Sequence, residues 1–220
     1  MSRKITALRL QKRNPHRVNV FLDGEFAFGL SRIVAAWLRV GQELTEEKIA
    51  ALQAEDAVEV AYQRAVRFLS YRPRTQEEVR RNLEKHETPP SVVETVLERL
   101  QENGLLDDAA FARAWVENRL AFRPRGARIL RQELRQRGVP EKITDAVLEA
   151  SLLDETDLAY RAGQKRLRRL RHLPWQEFRQ KMGAYLARRG FSYDVASEAV
   201  RRLWDDLQSN LKNDETEETP

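Results

Sequence analysis

The sequence of 220 residues contains no cysteine, only two methionines and only three histidines. Without cysteine the chain forms no disulfide, no thiolate zinc site and no cysteine nucleophile. The histidines, His16, His86 and His172, are scattered, and none has a second histidine or a carboxylate at metal-ligand spacing. Phosphate-binding glycine motifs and the signatures of serine hydrolases and zinc proteases are also absent. We therefore expect a protein that is not an enzyme and that holds neither a cofactor nor a metal ion.

Long hydrophobic runs are missing as well. No stretch approaches the 18 or more apolar residues of a membrane-spanning helix, and the first residues lack the apolar segment of a secretory signal. We expect a soluble, cytoplasmic protein with no membrane partner.

Charge is abundant and unevenly distributed. The 39 basic residues, of which 31 are Arg and 8 are Lys, exceed the 34 acidic ones and give a net charge of +5. Residues 155–207 carry 12 basic and 7 acidic groups, whereas residues 208–220 carry 1 and 4. Arginine binds phosphate or carboxylate through a planar fork of donors, although a genome rich in G and C explains many Arg codons equally well. This distribution permits nucleic-acid binding without requiring it.

The chain repeats itself at intervals of 51 and then 52 residues. The first shift superimposes Val79 on Leu130 and Leu83 on Leu134, and the second carries these positions to Met182 and Leu186. Each unit has apolar residues at helical spacing, which predicts tandem three-helix repeats. We expect a mostly α-helical protein in which three such repeats form an elongated, curved array, present as a monomer, that binds an extended partner.

The first 30 residues have a different pattern. Val18, Val20 and Leu22 alternate with other residues before Asp23-Gly24, a strong hairpin signal. This predicts a small three-stranded sheet, with Phe21 opposite Phe26 and one face covered by a helix near residues 33–38. The predicted domains are a β-rich extension with helices (1–57), three repeats (58–107, 108–154 and 155–208) and a disordered acidic tail (209–220). The predicted helices of the repeats span 61–70, 75–86 and 91–102; 108–121, 126–137 and 140–151; and 156–171, 174–189 and 192–208.

Short turns join the second and third helices of each unit, which is similar to helix-turn-helix geometry. The alternative function is therefore that of a DNA-binding transcriptional regulator. A recognition helix presents polar side chains to base edges. The third helices here are instead strongly apolar, with Val96 and Leu97 in the first unit and Val147 and Leu148 in the second. This composition favours packing in a core over reading of a DNA groove.

Clusters of arginine recur where the first helix of a unit meets the second. The candidate contacts with nucleic acid or with an acidic protein surface are Arg72, Arg74, Arg123, Arg125, Arg128, Arg131, Arg135, Arg168, Arg169 and Arg171. For any one of them, a solvated helix face is an equally good interpretation. The neighbouring Tyr71 and Phe122 are expected to pack in a core or at its rim, with base stacking as the alternative.

Two ordered motifs resemble the RecX family of regulatory proteins. The first is Arg72-x-Arg74-Thr75-x-x-Glu78-Val79-x-x-x-Leu83, followed by Leu100-x-x-x-Gly104-Leu105-Leu106-Asp107-Asp108-x-x-Phe111-Ala112. The second is Arg125-Gly126-x-x-x-x-x-x-Glu133-Leu134-x-x-x-Gly138-Val139. The resemblance covers residues 58–207, and the β-rich extension is similar to that of longer members. Two departures are Val79, where the family usually has leucine, and residues 86–90, which replace a turn that contains glycine.

The resemblance implies a bacterial, non-enzymatic modulator of the RecA recombinase that functions in homologous recombination, DNA repair and the SOS response. Family members bind along the groove of the filament that RecA forms on single-stranded DNA. They hinder filament growth, ATP hydrolysis and strand exchange. The expected partners are therefore the RecA filament and, weakly or indirectly, single-stranded DNA. The resemblance assigns no binding residues, so the arginine candidates are predictions from the sequence pattern.

Overall fold

The computed structural model describes residues 2–151 and 154–217, without the side chains that follow Ser209. Its strands are β1 (Ser2–Leu10), β2 (Arg17–Leu22), β3 (Glu25–Ser31) and β4 (Glu43–Thr45). Its helices are α1 (Arg32–Ala35), α2 (Glu46–Leu69), α3 (Gln76–Glu84), α4 (Pro90–Glu102), α5 (Asp108–Phe122), α6 (Ala127–Gln136), α7 (Glu141–Ser151), α8 (Glu155–Leu170), α9 (Trp175–Arg188) and α10 (Tyr193–Glu217). The chain divides into two compact units, Met1–Leu106 and Asp107–Pro220.

The sheet of the first unit is antiparallel, with strand order β3-β2-β1-β4. Asp23 and Gly24 both have positive φ, 51° and 92°, which gives the tight turn predicted between β2 and β3. Phe21 pairs with Phe26, as the two-residue turn requires. The sheet has one strand more than the three predicted. This fourth strand, β4, pairs with β1 at only Ser2, Arg3 and Lys4. A segment of three residues is too short to give a strand pattern in the sequence.

One face of the sheet is covered by helices. Ile5, Val20 and Leu22 are fully buried beneath α1 and the first half of α2. Leu52 of α2 lies in the same core. The predicted covering helix near residues 33–38 exists only as the single turn α1. Val34, Ala35 and Leu38 of this segment lie in the same core as Leu52, so the segment and α2 cover the sheet together.

Helix α2 crosses the predicted boundary at residue 57 without interruption. It begins at Thr45, whose Oγ1 accepts a hydrogen bond from Lys48 N (3.3 Å). Leu52 lies in the core beneath the sheet, whereas Ala61 and Ala65 lie in the core of the first repeat. The extension and the first repeat thus share one continuous helix.

Two buried carboxylates mark the middle of α2. Asp56 pairs with Arg17 (2.9 Å) and accepts a hydrogen bond from the Ser31 backbone. One turn later, Glu59 pairs with Arg99 of α4 (2.9 Å). Buried carboxylates are rare unless they are paired. These two connect α2 to the sheet on one side and to the repeat on the other.

The predicted three-helix repeats are confirmed, each around a separate core. The first uses the second half of α2 with α3 and α4, the second uses α5 to α7, and the third uses α8 to α10. The side chains superimposed by the sequence shifts are fully buried in all three cores, namely Val79, Leu83, Leu130, Leu134, Met182 and Leu186. The sequence repeat therefore reflects the cores directly.

The turn after the second helix also recurs. Backbone N–H groups of Thr88, Val139 and Phe191 donate to the carbonyls of Leu83, Leu134 and Leu186 at 3.2, 3.1 and 3.3 Å. The residue before each donor has positive φ: 58° at Glu87, 78° at Gly138 and 92° at Gly190. The first repeat therefore keeps the turn geometry although Glu87 replaces glycine.

The last helix is longer than predicted. Helix α10 continues to Glu217, so the backbone of residues 209–217 is helical where a disordered tail was expected. Residues 218–220 of that tail lie outside the described residues. Over the described part of the chain, no helix is both long enough and apolar enough to cross a membrane.

Candidate binding surface of the helical repeats

The arginines of the first repeat are bound within the repeat itself. Arg72 donates through both terminal nitrogens to Glu78 (3.1 and 3.0 Å). Arg74 stacks over the ring of Phe68 at 4.0 Å from the centroid. Thr75 caps α3 by accepting a hydrogen bond from Glu78 N (3.2 Å). The motif of the first repeat thus fixes the start of α3.

The equivalent arginines of the second repeat surround Glu133. This carboxylate accepts from Trp115 Nε1 (2.8 Å) and Arg119 Nε (2.8 Å), and Arg125 lies 3.3 Å from its other oxygen. Arg123, by contrast, is exposed, and its side chain has no hydrogen bond or ion pair with any described residue. Of this predicted pair, only Arg123 is available to a partner.

The predicted stripe on α6 is also partly occupied. Arg128 donates to the carbonyl of Ala187 (2.9 Å), and Arg131 pairs with Asp145 (2.9 Å). Arg135 is exposed and forms no hydrogen bond or ion pair within the described part of the chain. The three side chains therefore differ in what they can offer to a ligand.

The arginines at the end of α8 are the most accessible group. Arg168, Arg169 and Arg171 are exposed, and none has an ion pair with a described residue. Nearby, Arg166 is half-buried, with its guanidinium 5.1 Å from the ring centroid of Tyr185. Basic residues at a helix C-terminus interact favourably with the helix dipole. Stabilisation of α8 therefore also explains the position of these arginines.

Tyr71 and Phe122 are exposed rather than packed. Their exposed fractions are 76% and 69%, so the expectation of core or rim packing is wrong for both. Tyr71 follows the first helix of its repeat, and Phe122 is the last residue of the corresponding helix α5. Both rings are accessible beside the arginine clusters.

Sequence reasoning missed the junction between the second and third repeats. Lys165 donates to the carbonyl of Phe122 (2.9 Å), and Arg189 to that of Pro124 (3.0 Å). Gly126 N donates to Arg189 O (3.0 Å), and a Cβ at Gly126 would lie 2.7 Å from Phe191 N. Gly126 of the second motif is thus a packing contact between repeats.

An open groove of about 1200 Å³ runs between α9 and α10. Its floor includes Gly183, Ala187 and Ser197, and both signs of charge line it, with Arg179 and Glu198 as examples. Among the described residues, no cluster of three or more His, Asp or Glu can hold a metal ion.

Family models match the chain in four consecutive segments. The RecX N-terminal domain matches residues 3–45, and the first, second and third RecX three-helix domains match 61–100, 107–148 and 154–200. These segments correspond to the sheet and to the three cores described above. The order and the repeat spacing agree with the architecture.

Similar proteins extend over most of the chain. The Regulatory protein RecX of Bacillus subtilis (strain 168) is 36% identical over 202 residues, which are 90% of this chain and 76% of the relative. That of Limosilactobacillus reuteri (strain DSM 20016) is 35% identical over 87% of this chain and 74% of its own.

Solved structures agree. A crystal structure of regulatory protein RecX is 34% identical, with a TM-score of 0.73 over 88% of this chain and 96% of that chain. RecX from Lactobacillus salivarius, at 22% identity, has a TM-score of 0.62 over 68% of this chain and 97% of its own, and shows the fold alone. The motifs, the repeats and these likenesses lead to one conclusion: the chain belongs to the RecX family of regulatory proteins, which implies a regulator of RecA and is not known for enzymes.

Proposed function

We propose that the protein is a cytoplasmic, monomeric, non-enzymatic regulator that binds RecA filaments on single-stranded DNA and hinders their growth, ATP hydrolysis and strand exchange. The observation that carries this proposal is the match to all four RecX domains in order along the chain. Tandem repeats suit this task, because they present a long surface to an extended partner.

The proposed contacts come from the accessible arginines. Arg123, Arg135, Arg168, Arg169 and Arg171 are exposed and form no ion pair with described residues, so they reach a partner without breaking an internal contact. Arg72, Arg74, Arg125, Arg128 and Arg131 already bind other groups of the protein and would have to give these up. Phosphate and carboxylate are both ligands of the guanidinium fork.

The test is RecA-dependent ATP hydrolysis on single-stranded DNA with increasing amounts of the protein. We expect hydrolysis and filament length, seen by electron microscopy, to fall at protein concentrations that leave random duplex DNA unbound. Unchanged hydrolysis and filaments would contradict the proposal. Specific binding to a duplex site would instead favour the transcriptional regulator.

A charge-matched pair of variants tests the arginines. The triple change of Arg168, Arg169 and Arg171 to alanine should weaken inhibition of RecA. The control is the change of Arg67, Lys85 and Lys142, which are also exposed, to alanine. It lowers the net charge by the same three units and should leave inhibition unchanged. Equal losses in both variants would indicate a general charge effect without a specific surface.

A further inference from the structure

The sheet has one face that no described helix covers. On that face Ala7, Phe21 and Phe26 form one row of paired residues. The next row contains Arg9, Asn19 and Gly29. The alternate residues of the same strands, such as Val20 and Leu22, are buried beneath the helices. The outer face, defined here by these two rows, is therefore open to a partner.

Two aromatic rings lie together on the outer face. Phe21 and Phe26 meet edge to face with centroids 5.9 Å apart, and Phe26 is 59% exposed. The guanidinium of Arg9 lies 4.9 Å from the Phe21 centroid. A phenylalanine left in water forgoes about 1.5–3 kcal/mol of burial. Placing an aromatic pair on an uncovered face favours a ligand that stacks on rings.

Side-chain amides lie in the row next to the rings. Gln11 Nε2 donates to Asn19 Oδ1 (2.8 Å) in the second row. A Cβ at Gly29 would lie 3.0 Å from Gln11 Nε2, so the glycine leaves room for these amides to lie along the sheet. Side-chain amides beside stacking rings are suited to hydrogen bonds with the edges of bases.

The charge of this module favours an anion. Residues 1–45 hold eight basic and three acidic side chains, a net charge of +5. Exposed Lys12 and Arg13 follow β1, three and four residues after Arg9 in the sequence. Of the three acids, Asp23 is paired with Arg3 (3.0 Å), and Glu43 accepts from Ser2 (3.0 Å). Of the basic groups, Arg3 is paired with Asp23 and Arg17 with Asp56 of α2 (2.9 Å), and the remaining six outnumber Glu25 and Glu43, as contact with phosphates requires.

We propose that the outer face binds single-stranded DNA, with bases stacked on Phe26 and Phe21 and phosphates contacted by Arg9, Lys12 and Arg13. Unpaired bases expose the ring faces that a duplex hides, and exposed aromatics on four-stranded sheets bind such bases in other folds. The inference deepens the proposed function, because it names where the regulator holds the DNA strand. Direct binding to bare DNA tests it without RecA.

The experiment is fluorescence anisotropy of a labelled thymidine oligonucleotide with the full chain. Loss of a stacked ring in Phe26→Ala should weaken binding about 5- to 150-fold. Phe26→Tyr keeps the ring and should bind like the parent protein. Phe26→Leu keeps an apolar side chain without a ring and should bind as weakly as Phe26→Ala. Leu10→Ala is the matched control. Leu10 is equally exposed at 59%, but it pairs with buried Val18 and so lies outside the two rows of the outer face.

Salt dependence provides a second measurement. Arg9→Gln should lower the magnitude of the logarithmic salt slope by about 0.7, the value for one phosphate contact with a single strand. No binding by the parent protein, or equal binding by all Phe26 variants, would overturn the proposal. Parent-like binding by Phe26→Leu would overturn stacking. RecA inhibition, measured on the same variants, reports separately on the proposed function.

Discussion

Arg131 on α6 donates twice to Oδ1 of Asp145 on α7 (3.1 and 2.9 Å), and 51 residues earlier Arg80 on α3 makes the corresponding contact with Glu94 on α4. The hydrogen bonds from Arg80 hold the pKa of the Glu94 carboxyl below its usual value. In the third repeat the equivalent residues, 52 positions on, are Gly183 and Ser197. Both of these residues line the open groove between α9 and α10.

The Arg131–Asp145 pair should contribute little to stability. The two side chains are 47% and 50% exposed, and ion pairs in water are screened. A double-mutant cycle with alanine at both positions should give a coupling free energy below about 1 kcal/mol in urea unfolding. A coupling of several kcal/mol would mean that the bridge holds the helices together.

The pair between Arg99 and Glu59 should behave differently, because Glu59 is buried. Arg99→Ala leaves this carboxylate without its guanidinium and removes the stacking of Arg99 on Tyr62 at 3.9 Å. We expect a loss of about 2–5 kcal/mol in the free energy of unfolding. Arg81→Ala breaks only an exposed pair within α3 and should cost less than about 0.5 kcal/mol. Similar losses for both would refute the distinction.

Glu87→Gly should stabilise the first repeat. Glu87 has φ of 58°, a conformation that costs a side-chain-bearing residue about 1–2 kcal/mol and glycine much less. After subtraction of the entropy that glycine gains in the unfolded chain, we expect a gain of about 0.5–1 kcal/mol. Glu98→Gly, in the interior of α4, should instead cost about 1 kcal/mol. Thermal unfolding of both variants measures the difference, and destabilisation by Glu87→Gly would contradict the strain.

Gly126→Ala should disrupt the junction between the second and third repeats. The new Cβ would meet the Gly190 carbonyl and would lie 2.7 Å from Phe191 N, where only backbone movement makes room. We expect a loss above about 2 kcal/mol. Gly183→Ala, whose Cβ meets no atom within 4 Å on helix α9, should gain about 0.5–1 kcal/mol. If both substitutions are tolerated, the junction is looser than described.

Leu134→Ala tests the core of the second repeat. This side chain is fully buried against Leu130 and Val147, so its truncation should cost about 2–5 kcal/mol. The adjacent Arg135→Ala, on the exposed side of α6, should cost less than about 0.5 kcal/mol. Urea melts of the two variants give the comparison, and a large loss for Arg135→Ala would reveal a contact of that side chain.

The sequence predicted the parts of the fold in which a buried apolar residue recurs at a fixed interval. Leu83, Leu134 and Leu186 recur because each repeat needs the same buried position, and such a pattern is visible in one chain. The helix shared by extension and first repeat was missed, because Asp56 and Glu59 are polar residues that are buried only through partners distant in sequence. The short strand β4 was missed because its three residues are too few to give a strand pattern in the sequence.

The candidate site was less predictable than the fold. Arg72 and Arg168 look alike in sequence, yet Glu78 binds the first, whereas the second is exposed without an ion pair among the described residues. Such a difference depends on which carboxylate the folded chain brings near, and arginine spacing does not record it. The family motifs mostly mark helix starts, cores and repeat junctions.

The continuity of α2 determines where the molecule can be dissected. A fragment that starts at residue 58 would begin in mid-helix, two residues after the carboxylate that anchors the sheet, and would lack the Thr45 cap. A fragment that starts at Thr45 would keep the cap and the whole helix, but would leave Leu52 without the sheet that covers it. Limited proteolysis of the intact chain should therefore spare residues 46–69. If the sheet is deleted, Leu52 would have to be replaced by a polar residue for the remaining fragment to stay soluble.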